Sequence, residues 1–259
     1  MINPPPRFMR AILRQPCPEM VDGLTSVDLG LPDYALACAQ HAAYADALRA
    51  CGLELLILPA DSRFPDSCFV EDVALCTPRG AIVTRPGAPS RRDEAAGMSD
   101  VLAPFFPAIA AVTAPGTVEA GDIMMVGDLY YIGLSARTNA EGAAQVIDIL
   151  RSWGLDGKVV PLGTMLHLKT GLSYLEHGRL LTFGEFNDHL EFVDFTRFAV
   201  PEEEAYAANC IWVNGQVLIP AGYPQTLAWV TSMGYPAIPL AMSEFQKLDG
   251  GLSCLSLRF

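Results

Sequence analysis

No two of the seven cysteines stand at the CxxC spacing of a zinc site or a redox pair. Their number is odd, and four lie in apolar or helical surroundings, which excludes a disulfide framework. They read as reduced thiols of a cytoplasmic protein. Basic side chains are scarce, with 17 Lys and Arg against 29 Asp and Glu and a formal net charge of −12. Nucleic-acid binding rests on Lys and Arg contacts to phosphate, so that class is excluded. A cationic substrate suits the balance, although acidic chains are common. No apolar run reaches the roughly 20 residues of a membrane-spanning helix. The start, Met1-Ile2-Asn3-Pro4-Pro5-Pro6-Arg7-Phe8, carries no hydrophobic block for export. What is abundant is apolar: 51% of 259 residues are hydrophobic, enough for a large core. The length fits one large or two small domains and is read as a single catalytic domain, residues 1–259.

One pattern recurs. Val73–Cys76 and Ala81–Thr84 read as two strands about a Pro78-Arg79-Gly80 turn. Ile123–Val126 with Leu129–Ile132, Leu172–Leu175 with Arg179–Thr182, and Ile211–Val213 with Gln216–Ile219 repeat the design. Glycine-containing turns between apolar runs are hairpin signals. A helix is expected between about Asp33 and Cys51, stopped by Gly52. Others are expected from Arg91 to about Leu102 and from about Gln225 to Met233. The clearest opens at Thr138-Asn139-Ala140-Glu141, a capping-box spacing, with Val146, Ile147, Leu150 and Trp153 on one face. Repeats of this length suggest a ring of four full units and a split fifth, shared by Met9–Leu13 and the C-terminal segment. An ordinary α+β sheet with hairpins is the alternative.

Polar residues recur at matching places. Asp66, Glu71 and Asp72 crowd the first hairpin, Glu119 precedes the second, and His167 precedes the third. Grouped carboxylates beside a core strand suit capture of a guanidinium by charge-assisted hydrogen bonds, where surface acids merely solvate. Glu119 lies in Pro115-Gly116-Thr117-Val118-Glu119-Ala120-Gly121-Asp122 and reads equally as a turn acid. A lone His in an apolar frame is more often structural, yet its ordinary pKa suits acid–base work. Arg91 and Arg137 each follow a hairpin and open a helix, where an arginine can hold a carboxylate or a surface ion pair. In a ring, equivalent positions converge on one centre.

Cys254 would join that centre from the closing unit. It follows Gly250-Gly251, and Leu252, Leu255, Leu257 and Phe259 around it read as a final strand locked into a sheet. A thiol beside such a turn is a candidate nucleophile, and otherwise a small buried hydrophobe.

Five segments carry a resemblance: Phe64–Asp72, Pro115–Ile123, Ser135–Asn139, Leu166–Gly171 and Asp249–Cys254. Together they resemble the dimethylarginine dimethylaminohydrolases of bacterial type, in the amidinotransferase and arginine deiminase superfamily. The resemblance runs from Val21 to the last residue. It implies a five-unit α/β propeller of pseudo-fivefold ββαβ repeats, its first and last unit closed by N- and C-terminal strands. It implies that Cys254 attacks the guanidinium carbon of an Nω-methylated arginine and forms a covalent S-alkylthiouronium. His167 would protonate the leaving methylamine or dimethylamine and then activate water, giving citrulline. Glu119 and Asp72 would grip the guanidinium, with Glu71 beside them. Arg91 and Arg137 would bind the α-carboxylate. Asp66 and the main chain of Leu24 and Leu248 would meet the α-amino end, and Phe69 would line the pocket. The Gly23-Leu24-Thr25-Ser26 loop is the candidate lid.

Arginine deiminases carry a second acid two residues after the His; here that position is Lys169. One guanidinium nitrogen then lacks a charged partner, which makes room for methyl groups. Cys68 and the proline-rich start depart from the family pattern. Another guanidine-modifying hydrolase, arginine deiminase included, is the alternative enzyme. A non-catalytic arginine binder should lack Cys254 or His167, and a cysteine peptidase gives no reason for the acids. Neither cofactor nor metal is expected, and exposed hairpin edges would permit a homodimer.

Overall fold

The computed structural model describes residues 5–259, so that the first four residues of the proline-rich start, Met1–Pro4, lie outside the described residues. Short apolar strands pair as five separate three-stranded sheets. In chain order the strands are β1 (Arg10–Arg14), β2 (Glu54–Leu58), β3 (Ala74–Cys76), β4 (Ala81–Val83), β5 (Ile109–Ala111), β6 (Ile123–Val126), β7 (Leu129–Leu134) and β8 (Asp156–Pro161). They continue as β9 (Leu172–Tyr174), β10 (Arg179–Thr182), β11 (Thr196–Ala199), β12 (Ile211–Val213), β13 (Gln216–Pro220), β14 (Ala237–Leu240) and β15 (Leu257–Arg258). Four sheets have one plan: an inner strand antiparallel to the middle one, and an outer strand parallel to it, as in β6-β7-β8. The parallel step needs a crossover. Helices α1 (Tyr34–Ala50), α3 (Ala140–Ser152) and α4 (Pro224–Ser232) supply three of the crossovers, and α2 (Met98–Leu102) with a 3₁₀ turn supplies another. A short α5 (Ser243–Gln246) leads to the C-terminal segment.

The fifth sheet is the split unit: β15 pairs antiparallel with β1, and β1 pairs parallel with β2. The Phe259 carbonyl accepts from the Met9 and Arg10 amides at 2.8 and 2.7 Å, so the two ends are stitched together. Inner strands of all five units line one axial cavity of about 570 Å³. This is the propeller, not a single α+β sheet. Core packing lies mainly between each sheet and its crossover. Val146 and Leu150 of α3, fully buried, pack on Tyr130 and Ile132 of β7.

Three local expectations are corrected. The C-terminal strand is only Leu257–Arg258, and Ser253–Leu255 is a 3₁₀ turn. Leu252 and Leu255 are both fully buried, and their spacing of three suits a turn better than a strand. The helix expected from Arg91 is broken: Pro89–Ala95 is 3₁₀, Gly97 has φ +79°, and only Met98–Leu102 is α-helical. Arg91 is drawn inward by acids, which fixes the broken geometry. The N-cap of α3 is Asn139, whose side chain accepts from the Gly142 amide at 2.8 Å. Thr138 instead accepts from the Glu119 amide at 3.2 Å. The fourth hairpin is as expected, with Asn214 and Gly215 at φ 49° and 91° in its two-residue turn.

Candidate active site

Each unit brings the segment before its inner strand to one end of the axis. The first unit's 3₁₀ turn Val70–Val73 buries Glu71 and Asp72. Asp72 Oδ2 accepts from Arg91 Nη1 at 2.6 Å, and Oδ1 accepts from the Gly121 amide at 3.0 Å. Burial opposes its ionisation, but Arg91 and His167 overcome that and hold its carboxyl below the usual range. Glu119 is 1% exposed. Its Oε1 accepts from the Ala88 amide at 3.0 Å, and its Oε2 lies 2.8 Å from His167 Nε2.

His167 therefore stands among carboxylates. Burial alone would lower its pKa, but Asp72, Glu119 and Asp122 outweigh burial and raise it to about 9. It is an imidazolium at neutral pH, with a proton to give. The thiol behaves oppositely. Burial, then the charges of Glu71 and Asp72, push Cys254 up to about 12, against the Gly251 amide and Lys169. At rest it is a neutral thiol, and a cation beside it would favour the thiolate.

A cleft of about 160 Å³ is lined by Asp66, Asp72, Glu119, Arg137, His167 and Cys254, with Leu24, Phe69, Arg91 and Leu248. A wider cleft of about 300 Å³ adjoins it past His167 and Cys254, towards Leu166, Phe183 and Tyr206. Asp66 Oδ1 accepts from the Leu24 amide at 3.0 Å, and Asp249 from the Ser26 amide, so the candidate lid loop is tied across the cleft. Phe69 is buried edge-to-face on Phe245. A Cβ on Gly250 would lie 2.1 Å from the Phe69 ring. This glycine is required for close approach rather than for an unusual φ.

Two predicted site residues are placed differently from the rest. Arg91 is 5% exposed and engaged within the protein: besides Asp72 it donates to Glu94 and to the Phe69 carbonyl at 3.1 Å. Arg137 is the freer guanidinium, its side chain 22% exposed, 3.7 Å from Glu119. Glu71 faces the axial cavity rather than either cleft. Its Oε1 accepts from Lys169 Nζ at 2.6 Å and Arg258 Nη2 at 3.4 Å. This ion triad and Ser253 stand between the clefts and the axial cavity, and Lys169 and Ser253 line both sides.

The sequence reading missed three supports. Asp122, fully buried, accepts from the Leu168 amide at 2.9 Å and the Ser135 hydroxyl at 2.7 Å, tying the His167 and Arg137 segments together. Its place in the Glu119 motif was the available signal. Glu94 and Asn209 carry no motif. Ligand atoms of Asp72, Glu119 and His167 lie within 4.8 Å of one another, a metal-like cluster. All four carboxylate oxygens there already accept N–H donors, and His167 as an imidazolium has no lone pair to offer an ion.

A thiol and a charged imidazole thus converge at one end of the axis of a five-unit α/β propeller. No protein-family model matches it. It is 57% identical over 253 residues to the N(G),N(G)-dimethylarginine dimethylaminohydrolase of Pseudomonas aeruginosa, covering 97% of this chain and 100% of that one. It is 35% identical to the protein of the same name from Streptomyces coelicolor, covering 96% of each. The chain belongs to the dimethylarginine dimethylaminohydrolase family. Crystal structures agree. The Pseudomonas aeruginosa enzyme, as a cysteine-to-serine mutant complexed with citrulline, superposes with TM-score 0.97 over 98% of this chain and 100% of that one. A dimethylarginine dimethylaminohydrolase histidine-to-glycine variant, as its adduct with S-methyl-L-thiocitrulline, gives 0.96 at 57% identity, over 97% of this chain and 100% of that one. The N-terminal domain of a cyanobacterial arginine dihydrolase, at 18% identity and TM-score 0.86 over 98% of this chain and 97% of that domain, shares the fold.

Proposed function

We propose that this enzyme hydrolyses Nω,Nω-dimethyl-L-arginine and Nω-methyl-L-arginine to L-citrulline, releasing dimethylamine or methylamine. The observation carrying the reading is the pairing of a neutral thiol with an imidazolium at the junction of a charged and a wider cleft. The guanidinium enters between Asp72 and Glu119, and Arg137 meets the α-carboxylate. Arg91 acts mainly by fixing Asp72. Asp66, with the main chain of Leu24 and Leu248, receives the α-amino end.

The bound cation beside Cys254 favours its thiolate, whose proton leaves to solvent, and the sulfur attacks the guanidinium carbon. His167 gives its proton to the departing amine, so amine and S-alkylthiouronium form together. The now neutral imidazole takes a proton from water, whose oxygen adds to the same carbon. The carbon–sulfur bond breaks, the added hydroxyl gives its proton to the departing sulfur, and citrulline and the thiol form; the free amine takes up the proton released by the thiol. Over the cycle one water is consumed, and the positive charge of the guanidinium leaves on the ammonium product. The step needs thiol, acid and water and no cofactor or metal.

Lys169, at the position where deiminases hold a second acid, is bound to Glu71 and offers the guanidinium no carboxylate. The adjoining 300 Å³ cleft gives N-methyl groups space. Both favour the methylated substrate over arginine. The test is citrulline release from asymmetric dimethylarginine and from arginine, side by side without added metal. Citrulline from the methylated substrate is expected, and citrulline mainly from arginine would make the enzyme a deiminase.

The single domain, 1–259, belongs to the same reading. Among the described residues no helix is long and apolar enough to cross a membrane. Seven free thiols fit a reducing cytoplasm. A homodimer through an exposed sheet edge is part of the proposal, and sedimentation at micromolar concentration checks it.

A further inference from the structure

Four units contribute a polar side chain just before the inner strand. Asp72 comes two residues before β3, Glu119 four before β6, His167 five before β9 and Cys254 three before β15. The fourth unit has no assigned residue. At the matching place, two residues before β12, stands Asn209, 6% exposed and lining the cleft with Cys254.

Every hydrogen bond of its side chain leaves its own unit. Nδ2 donates to the Lys169 carbonyl at 2.9 Å and to Ser253 Oγ at 3.0 Å. Oδ1 accepts from the Ser253 amide at 3.0 Å. One amide thus joins the segment that follows His167 to the turn that carries Cys254. The fit is close, since a Cβ on Gly251 would lie 2.5 Å from Asn209 Cγ. Ser253 Oγ, in accepting from Asn209, keeps its own proton to donate. The neighbouring Cys254 Sγ is 3.9 Å away, and the Gly251 amide reaches the same sulfur at 3.4 Å.

We propose that Asn209 is a positioning residue: it locks the Gly251–Cys254 turn against the His167 segment and aims the Ser253 hydroxyl at the sulfur. The thiolate then forms with two donors, Gly251 N–H and Ser253 O–H, facing the bound guanidinium. Both donors matter because the sulfur is held near two carboxylates, Glu71 and Asp72, that disfavour its ionisation. Asn209 itself touches no reacting atom. The inference rests on the reading of Cys254 as nucleophile.

The experiment compares Asn209→Ala, Asn209→Asp and Ser253→Ala with the parent. Asn209→Asp keeps the acceptor for the Ser253 amide and loses both donors. Two quantities are read: the rate of Cys254 alkylation by iodoacetamide in substrate-free enzyme at pH 9, located by peptide mass, and kcat and KM for dimethylarginine. Each variant should slow alkylation about tenfold through a smaller thiolate fraction. Each should lower kcat about 10- to 100-fold with KM within about threefold, as expected when a transition-state interaction is lost. The Asn209→Ala/Ser253→Ala double variant should be no slower than the worse single one. Alkylation within twofold of the parent in Ser253→Ala, or a kcat that falls only in step with melting temperature, would overturn the proposal. The alkylation readout needs no turnover. An Asn209 effect on Cys254 in a protein that makes no citrulline would therefore overturn the proposed reaction and leave this role standing.

Discussion

At the residue scale the proposed site pairs two side chains of opposing protonation preference. His167 is charged because Asp72, Glu119 and Asp122 outweigh its burial, and Cys254 is neutral because burial and nearby acids agree. The pH dependence follows with a definite sign. The His167 pKa of the folded state, about 9, is above the ordinary 6.5, so its stabilising charge is fully present below 6.5 and is lost as pH rises through 9. Its proposed acid role is lost over the same interval. The profile of kcat/KM should therefore bend downward near pH 9, and a bend near 6.5 instead would remove the charged-acid assignment. Cys254→Ser should lower kcat on the order of 10⁴-fold or more while circular dichroism is unchanged. His167→Gly should retain attack and accumulate a covalent adduct, seen by intact mass, when the leaving group departs without a proton.

At the element scale, turns rather than strands hold the proposed catalytic side chains. Cys254, Asp72 and His167 all lie in or beside 3₁₀ segments at the ends of inner strands. The hairpins were legible because apolar runs and Asn-Gly or Gly turns are local signals. The Cys254 turn was not, since its shape is set by Asn209, distant in the chain. The Arg91 segment was misread for the same reason: Asp72, Glu94 and the Phe69 carbonyl define it, and only Glu94 is near in sequence. Gly250→Ala should move Phe69 or the turn, cost about 1–3 kcal/mol as overpacking does, and lower kcat/KM, with urea unfolding and kinetics as the checks. By contrast Asp33, N-cap of α1, accepts from the Leu36 amide at 2.9 Å and lines neither cleft. Asp33→Ala should cost about 1 kcal/mol of stability and leave kcat unchanged.

At the scale of the molecule, the ring was legible because four hairpins recur and the terminal segments read as the missing fifth. The centre was legible in part. Repeat equivalence pointed to Asp72, Glu119, His167 and Cys254, but the burial of Arg91 depends on the fold of its own unit around Asp72, Glu94 and Phe69, and the inward turn of Glu71 on how units meet. Removing Leu257–Phe259 deletes β15 and its bonds to β1, and should abolish the cooperative unfolding transition. Chelator added to the parent should leave the citrulline rate unchanged, and a loss restored by one metal would require the Asp72–Glu119–His167 cluster to be reassigned.

The ion triad of Glu71, Lys169 and Arg258 gives the reaction a traffic rule. With the axial side blocked, substrate and both products pass through the two adjoining clefts. The first product must vacate them before water reaches the sulfur-bound carbon, and citrulline leaves last by the route its precursor took. Added dimethylamine should then drive the covalent intermediate backwards, slowing citrulline formation in a way that more substrate does not relieve.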